Sequence, residues 1–321
     1  MSRRLAFGID IGGTTIRVTL GDDKGNILAR LSERTEIRKG SEGISKQIIR
    51  MIQSIKVEGF KIEEAKGIGI GSAGPLDLKR GGLMKPTNIP YDFVPLVEPL
   101  ERELALPTRI LNDCTTAVKG EKFFGAGKNL QNLVYVTLST GIGGGGYVDG
   151  NLLIGKDGNA AEIGHFTIDF EGRLTCGCGK RGHWEAYCSG KDMPKYVRLL
   201  LEEKKREEVG NSLLMKMANN DLKRITVENL FNAAKAGDPI SKEIVERIGF
   251  LNAIGFACVV DAYDPSLITV GGSVALKNTS LVIDPIRQHI TEHTRNRVPE
   301  IMITPLGEDV VIYGALANVF Y

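Results

Sequence analysis

The chain opens with an apolar run, "AFGID", then an alternating one, "IRVTLGD", then "GNILARLSE" after a glycine turn. Apolar runs bounded by turn residues, and strict alternation, both predict β-strands, so the segment reads as a three-stranded meander. The period then changes. In "SEGISKQIIRMIQSIKV", Ile44, Ile48, Ile52 and Ile55 recur at helical spacing behind Ser41, which predicts an amphipathic helix with a serine cap. "KGIGIGSAGPLD" predicts a short strand running into a loop, "LVEPLERELAL" a helix and "TRILND" a strand. "CTTAVKGEKFFGAG" predicts a helix that stops at Gly125.

The opening pattern then returns. "NLVYVTLSTGIGGGGYVDGNLLIG" repeats the layout of "LAFGIDIGGTTIRVTLGDDKGNILAR": apolar strand, glycine turn, strand, polar turn, strand. The polar turns, Gly25-Asn26 and Gly150-Asn151, lie 125 residues apart, too far for a solenoid repeat and right for a duplicated α/β domain. Beyond it come a long helix, "SKEIVERIGFLNAIGFACVVDAY", a strand–glycine–helix unit, "LITVGGSVA", and a final helix, "VVIYGALANVF". The charged stretch "LEEKKREEVGN" predicts a solvated helix face.

Composition agrees with two domains. The 321 residues exceed the ~100–200 of a typical domain. A net charge of +2 gives no electrostatic footprint for nucleic acid. No apolar run suits a signal peptide or a membrane span, so a cytoplasmic protein without a membrane partner is expected. In that compartment a cysteine cluster is metal-binding or reactive more often than a structural disulfide.

Glycine is abundant and clustered. Gly69 to Gly74 and Gly141 to Gly146 both match G-x-G-x-x-G, but neither opens a helix, which a dinucleotide site requires. No P-loop occurs. "DIGGTT" is a different case: Asp10 ends a buried strand, Gly12 and Gly13 make the turn, and Thr14 and Thr15 add hydroxyls. Backbone N–H groups in such a turn can face phosphate, and Asp10 can hold Mg²⁺ through water. A plain hairpin turn is the other reading. The second copy, "STGIGGG", with Thr140, Gly141 and Gly143, favours phosphate, and Gly271-Gly272 supplies a third glycine turn suited to a base and ribose.

"LTCGCGKRGHWEAYCSG" gathers Cys176, Cys178, His183 and the only tryptophan, with His165 upstream in "AAEIGHF". Four such ligands within nineteen residues suit tetrahedral zinc, although C-x-C lacks the commoner spacing. A redox pair, or two buried thiols beside a surface histidine, are the alternatives.

Together "DIGGT", "STGIGGG", "AEIGH", "CGCGKRGHWE" and "LGEDVVIYGALAN" resemble the ROK family of sugar kinases and sugar-responsive repressors, over essentially the whole chain. The resemblance implies an α/β fold of the actin-like ATPase type, two ribonuclease-H-like domains with ATP and sugar meeting in a central cleft. The expected domains are 1–112, completed by a C-terminal helix at about 306–321, and 113–305 with the zinc site. It also implies Asp113 of the Asn112-Asp113 pair as catalytic base, the other reading being a helix N-cap. Sugar contacts implied are Ser72, Asn88, Asn112, Glu162, His165 and Glu185, and zinc is favoured at His165, Cys176, Cys178 and His183. Cys188 is ranked below His183 as a ligand. Two departures stand out: His183 replaces the usual third cysteine, and Thr15 stands where many family kinases carry lysine. Repressors of the family carry a DNA-binding segment before the first glycine motif; the sequence opens a few residues before Gly8, which favours an enzyme. The expected activity is Mg-ATP-dependent phosphorylation of a hexose, glucose foremost, by a possible homodimer. Fructose, mannose, N-acetylglucosamine and N-acetylmannosamine are the alternative acceptors, and a sugar-sensing regulator the alternative role.

Overall fold

The structure, a computed structural model, describes residues 3–86 and 89–321. Strands β1 (Leu5–Ile11), β2 (Thr15–Asp22) and β3 (Ile27–Arg34) lead into helix α1 (Gly43–Ser54). Next come β4 (Ile68–Ser72), β5 (Leu76–Asp77), β6 (Gly82–Met84), β7 (Phe93–Pro95), α2 (Val97–Leu104), β8 (Thr108–Asn112) and α3 (Asp113–Phe123). They are followed by β9 (Leu133–Leu138), β10 (Ile142–Val148), β11 (Asn151–Leu152), α4 (Glu185–Cys188), α5 (Met193–Glu202), α6 (Arg206–Asn211) and α7 (Leu213–Met217). The remainder is α8 (Val227–Lys235), α9 (Pro239–Tyr263), β12 (Leu267–Gly271), α10 (Ser273–Lys277), α11 (Thr279–His289), β13 (Glu300–Ile303) and α12 (Val310–Phe320). Among the described residues, no helix is long and apolar enough to cross a membrane.

The duplication is visible in strand order. One five-stranded sheet runs β3-β2-β1-β4-β8 and the other β11-β10-β9-β12-β13. In each, a meander lies beside two strands that arrive later in the chain. In the first sheet β1 pairs antiparallel with β2 and parallel with β4, which is itself parallel to β8. A small antiparallel sheet, β5-β6-β7, follows β4.

Two compact units result: residues 1–135 with 145–161 and 304–321, and residues 136–144 with 162–303. Residues 113–135 thus group with the N-terminal strands, a different cut from the expected 112/113 boundary. The reason is that α3 lies along α12. The expected serine cap is also displaced. Glu42 occupies the N-cap of α1 without a side-chain hydrogen bond. A backbone turn, Gly43 N–H to Gly40 carbonyl at 3.0 Å, leads the chain into the helix instead.

Within the first unit the two faces of the sheet are built differently. Phe7, Ile9, Ile11, Ile68 and Ile70 pack in one cluster with Ile44, Ile48, Met51 and Ile52 of α1. Side chains alternate along a strand, so Ala6, Gly8, Gly69 and Gly71 fall on the opposite face. There α12 lies almost directly on the backbone. A methyl at Gly69 would sit 1.9 Å from the carbonyl oxygen of Ala315, and one at Gly314 only 1.7 Å from that of Thr116. Gly69 and Gly71 of "GIGIGSAG" therefore serve helix-on-sheet packing, which accounts for part of a dinucleotide-like string without a dinucleotide site.

Substitution Gly314→Ala should accordingly cost the first unit about 1–3 kcal/mol or more through overpacking. Urea unfolding would read this as a lower midpoint at unchanged slope; an unaltered midpoint would mean that α12 can move aside.

Candidate active site and metal centre

In the first unit the parallel strands end level. Ile11 is in register with Ser72, and Ser72 with Asn112. The Gly12–Thr14 turn, the Ser72–Gly74 loop and Asp113 therefore leave the carboxyl edge of one sheet together, the edge where open α/β sheets bind ligands. A cavity of about 160 Å³ lies there, lined by Gly12, Gly13, Thr35, Ser72, Gly74 and Ile89 among others. Gly13, Thr14 and Thr15 are exposed. Ser72 is buried and donates at 3.4 Å to the carbonyl of Ile11, which ties two of the strand ends. Asn88 lies outside the described residues.

The ambiguity over Asp113 is reduced by its neighbour. Asn112 is the N-cap of α3: its side chain accepts from the N–H groups of Cys114 at 2.9 Å and Thr115 at 3.4 Å. Asp113 occupies the first helical position, half-buried, and accepts from Cys114 N–H at 2.8 Å. Capping is thus carried by Asn112, and the Asp113 carboxylate sits at the positive end of the helix.

Asp10 is not a solitary carboxylate. Arg17, its cross-strand partner, holds one oxygen through Nε at 3.0 Å and Nη2 at 2.5 Å. The same guanidinium reaches Asp309 at 3.0 Å and the Glu308 carbonyl at 2.7 Å. Burial pushes the Asp10 carboxyl up, and Arg17 opposes that shift.

The second unit holds the other candidates. One ligand atom from each of His165, Cys176, Cys178 and His183 lies within 4.8 Å of every other. His165 turns Nδ1 toward Cys176 Sγ at 3.9 Å and Nε2 toward Glu162 at 3.8 Å, while His183 Nδ1 lies 3.3 Å from Cys178 Sγ. Burial pushes the Cys176 thiol up to about 12, so a thiolate there needs a cation beside it. Burial also lowers His183, aided by His165, and so favours the neutral imidazole that metals bind. Soft sulfur and borderline nitrogen in a four-donor set fit zinc. Cys188 points elsewhere, to the carbonyl of Ile248 at 3.7 Å.

Trp184 explains how this loop is held. Its side chain is 0% exposed, its Nε1–H donates to Asn252 at 2.8 Å, and its ring meets Phe256 edge-on at 5.5 Å. With Trp184 sunk against α9, His183 and Glu185 are fixed on either side of it. Glu185 joins the cluster to the glycine hairpin: one oxygen accepts from Ile142 N–H at 2.9 Å, the other from the Cys176 thiol at 3.6 Å. Gly141 must stay small, because a methyl there would lie 2.6 Å from that Glu185 carboxylate. Glu162 is pushed up by desolvation and by Glu185, against the pull of His165.

The hairpin and the third glycine turn also meet. Ser139 and Ser273 hydroxyls are 3.2 Å apart, and Gly272, at φ +86°, passes so near that a methyl would lie 2.5 Å from the Leu138 carbonyl. Beside them opens a cavity of about 490 Å³ whose walls include Thr140, Lys191, Phe231, Asn232, Ser273 and Asn278. Lys191, Phe231 and Asn232 escaped the sequence reading. They stand on segments with no glycine motif, and Phe231 reads simply as a core position of α8.

A ROK family model matches residues 6–319. The glucokinase of Pyrobaculum calidifontis is 36% identical, covering 97% of this chain and 93% of that protein. The glucokinase of Thermotoga maritima is 32% identical, covering 98% and 97%. Among solved structures, a ROK family glucokinase from Streptomyces griseus in complex with glucose and AMPPNP is 31% identical, with a TM-score of 0.77, covering 97% of this chain and 98% of that one. The fold is the actin-like ATPase fold, and the duplicated strand order is its imprint.

Replacing Trp184 by Ala should cost the second unit about 3–5 kcal/mol, the range for emptying a large aromatic site. Thermal unfolding would show it, and a shift within error would remove Trp184 as the anchor.

Proposed function

This chain belongs to the ROK family and is an ATP-dependent sugar kinase; on that premise we propose that it phosphorylates glucose at the 6-hydroxyl with Asp113 as general base. The observation that carries the reading is the level ending of β1, β4 and β8, which delivers a glycine turn, Ser72 and the Asn112-Asp113 pair to one edge. Phosphoryl transfer needs chiefly positioning and charge neutralisation, with a carboxylate to take the hydroxyl proton. In the step, a bond forms between the sugar oxygen and the γ-phosphorus while the bond from that phosphorus to the bridging oxygen breaks. The hydroxyl proton passes to the Asp113 carboxylate, and ADP leaves.

Asn112 caps α3, and Asp113, which itself accepts from Cys114 N–H at 2.8 Å, stands next to that cap at the sheet edge. Ser72 and, by resemblance, Asn88 complete the sugar contacts of this unit. Gly12, Gly13 and Thr14 offer backbone and hydroxyl donors to phosphate. Thr140, Gly141, Gly143, Gly271 and Gly272 serve the nucleotide in the second unit, where the 490 Å³ cavity has room for a base and ribose. Mg²⁺ bound with ATP supplies charge neutralisation. Asp10 fits a water-mediated part in holding it, since Arg17 occupies only one of its oxygens.

Zinc would be held by His165, Cys176, Cys178 and His183, and its contribution is to stiffen the loop. Ligation takes the thiolate, so a loaded Cys176 has no S–H to give and leaves a Glu185 oxygen open as an acceptor. His165, with Nδ1 on the cluster side, keeps Nε2–H as a donor beside Glu162. These three side chains then form a small polar set for sugar hydroxyls.

ADP release with a panel of hexoses tests the activity, and absence of turnover with all of them would refute it. Asp113→Asn should lower turnover by roughly 10²-fold or more with sugar affinity kept. Near-normal turnover in a folded variant would remove Asp113 as the base. Metal analysis should find one zinc per chain, and His183→Ala should lose metal and weaken sugar binding although residue 183 need not touch sugar. Zinc-free protein with full sugar affinity would sink the orienting role.

A further inference from the structure

Thr15 brings no charge to the phosphate turn, yet its neighbour does. In the β2–β3 pair, Thr15 stands directly opposite Arg34, so the two side chains share one face of the sheet. A second cavity, of about 420 Å³, opens on this side of the turn and is lined by Gly13, Thr14, Arg34, Glu36, Arg38 and Lys39 among others.

The charges around it do not cancel. Glu36 is engaged by Lys39 at 3.0 Å and by Arg50 at 3.5 Å. Among the described residues, Arg34 and Arg38 have no carboxylate partner. Two guanidinium groups beside one cavity repel each other, and an anion between them would relieve that repulsion. The arm that carries them is also fastened to the turn. Thr35 donates its N–H to the Thr14 carbonyl at 2.9 Å and its hydroxyl to the Gly12 carbonyl at 3.1 Å. Buried Gln47 grips the same segment, donating to the Arg34 carbonyl at 2.9 Å and accepting from Glu36 N–H at 3.0 Å. The turn and the backbone of residues 34–36 are therefore one piece, which brings Arg34 and, two residues beyond that segment, Arg38 to the cavity beside the turn.

We propose that Arg34 and Arg38 bind the terminal phosphates of the phosphoryl donor, supplying from the end of β3 and the turn after it the positive charge that Thr15 lacks. The proposal rests on the kinase reading above. Guanidinium suits the role because its planar fork matches phosphate oxygens and remains charged at any working pH. The ligand class is an extended phosphate chain, whether the tail of a nucleoside triphosphate or a free oligophosphate.

The test compares the parent protein with Arg34→Gln/Arg38→Gln and with Arg34→Lys/Arg38→Lys. The glutamine pair should raise the KM for MgATP by about tenfold or more, the scale of losing a charge-assisted contact, while the sugar KM stays within about twofold. The lysine pair should recover part of the loss. Inorganic tripolyphosphate should compete with ATP in the parent and compete less in the glutamine pair. Unchanged ATP KM and unchanged tripolyphosphate competition would overturn the proposal and leave the kinase reading intact. If the parent phosphorylates no sugar, calorimetry with tripolyphosphate decides alone. Binding lost in the glutamine pair supports the assignment; equal binding in both, or none in the parent, overturns it.

Discussion

The rest of the first unit depends on how closely α12 approaches its neighbours. With no side chain at Gly69 and Gly314, the helix backbone comes within reach of one strand and of α3, and the carbonyls of Ala315 and Thr116 fill the space a methyl would need. Dispersion forces fall off steeply with separation, so backbone-to-backbone contact of this kind gains much while tolerating little. It also sets the angle at which α3 leaves the sheet. Because Asp113 is the first residue of α3, the position of its carboxylate depends on packing at the other end of the sequence. The polar edge is thus held by an apolar contact several residues behind it.

The second unit reaches rigidity by other means. The loop bearing His183 and Glu185 has little regular structure of its own and is anchored by one aromatic side chain. Trp184 contributes buried area and a satisfied indole N–H, the combination that makes tryptophan a good anchor. The four-donor cluster lies next to that anchor, with His183 immediately before Trp184 in the chain. One unit is thus fastened by helix packing on a sheet, the other by a tryptophan packed on a helix beside a cluster of cysteines and histidines.

Much of this was legible in the sequence, and the particular residues show why. The last helix was read as "VVIYGALANVF" and runs Val310–Phe320, because an almost wholly apolar stretch has no competing period. The donor cluster was readable from composition, since cysteine and histidine are scarce in this chain. Ser41 misled because a cap depends on backbone turn geometry, and here a Gly40–Gly43 turn did the work. The tie between Asp10 and Arg17 could be seen only once strand register was known. Phe231 and Asn232 carried no signal at all, since a pocket wall is made by where helices end up and not by local pattern. The first G-x-G-x-x-G string shows the converse: a motif whose spacing is right, while Gly69 and Gly71 in it serve helix packing.

The same contact has a consequence in time. Strands β1 to β8 and α3 are made early, yet the helix that completes them lies beyond the whole of residues 162–303. During synthesis the first sheet therefore emerges with the part of one face that α12 covers still open, α3 alone lying on that side until α12 is made. A nascent chain at that stage exposes a glycine-lined apolar surface, the kind of surface on which chaperones act. The second unit, contiguous apart from one hairpin, has no such wait. The packing that fixes the start of α3, and with it Asp113, is therefore complete only once α12 has been made.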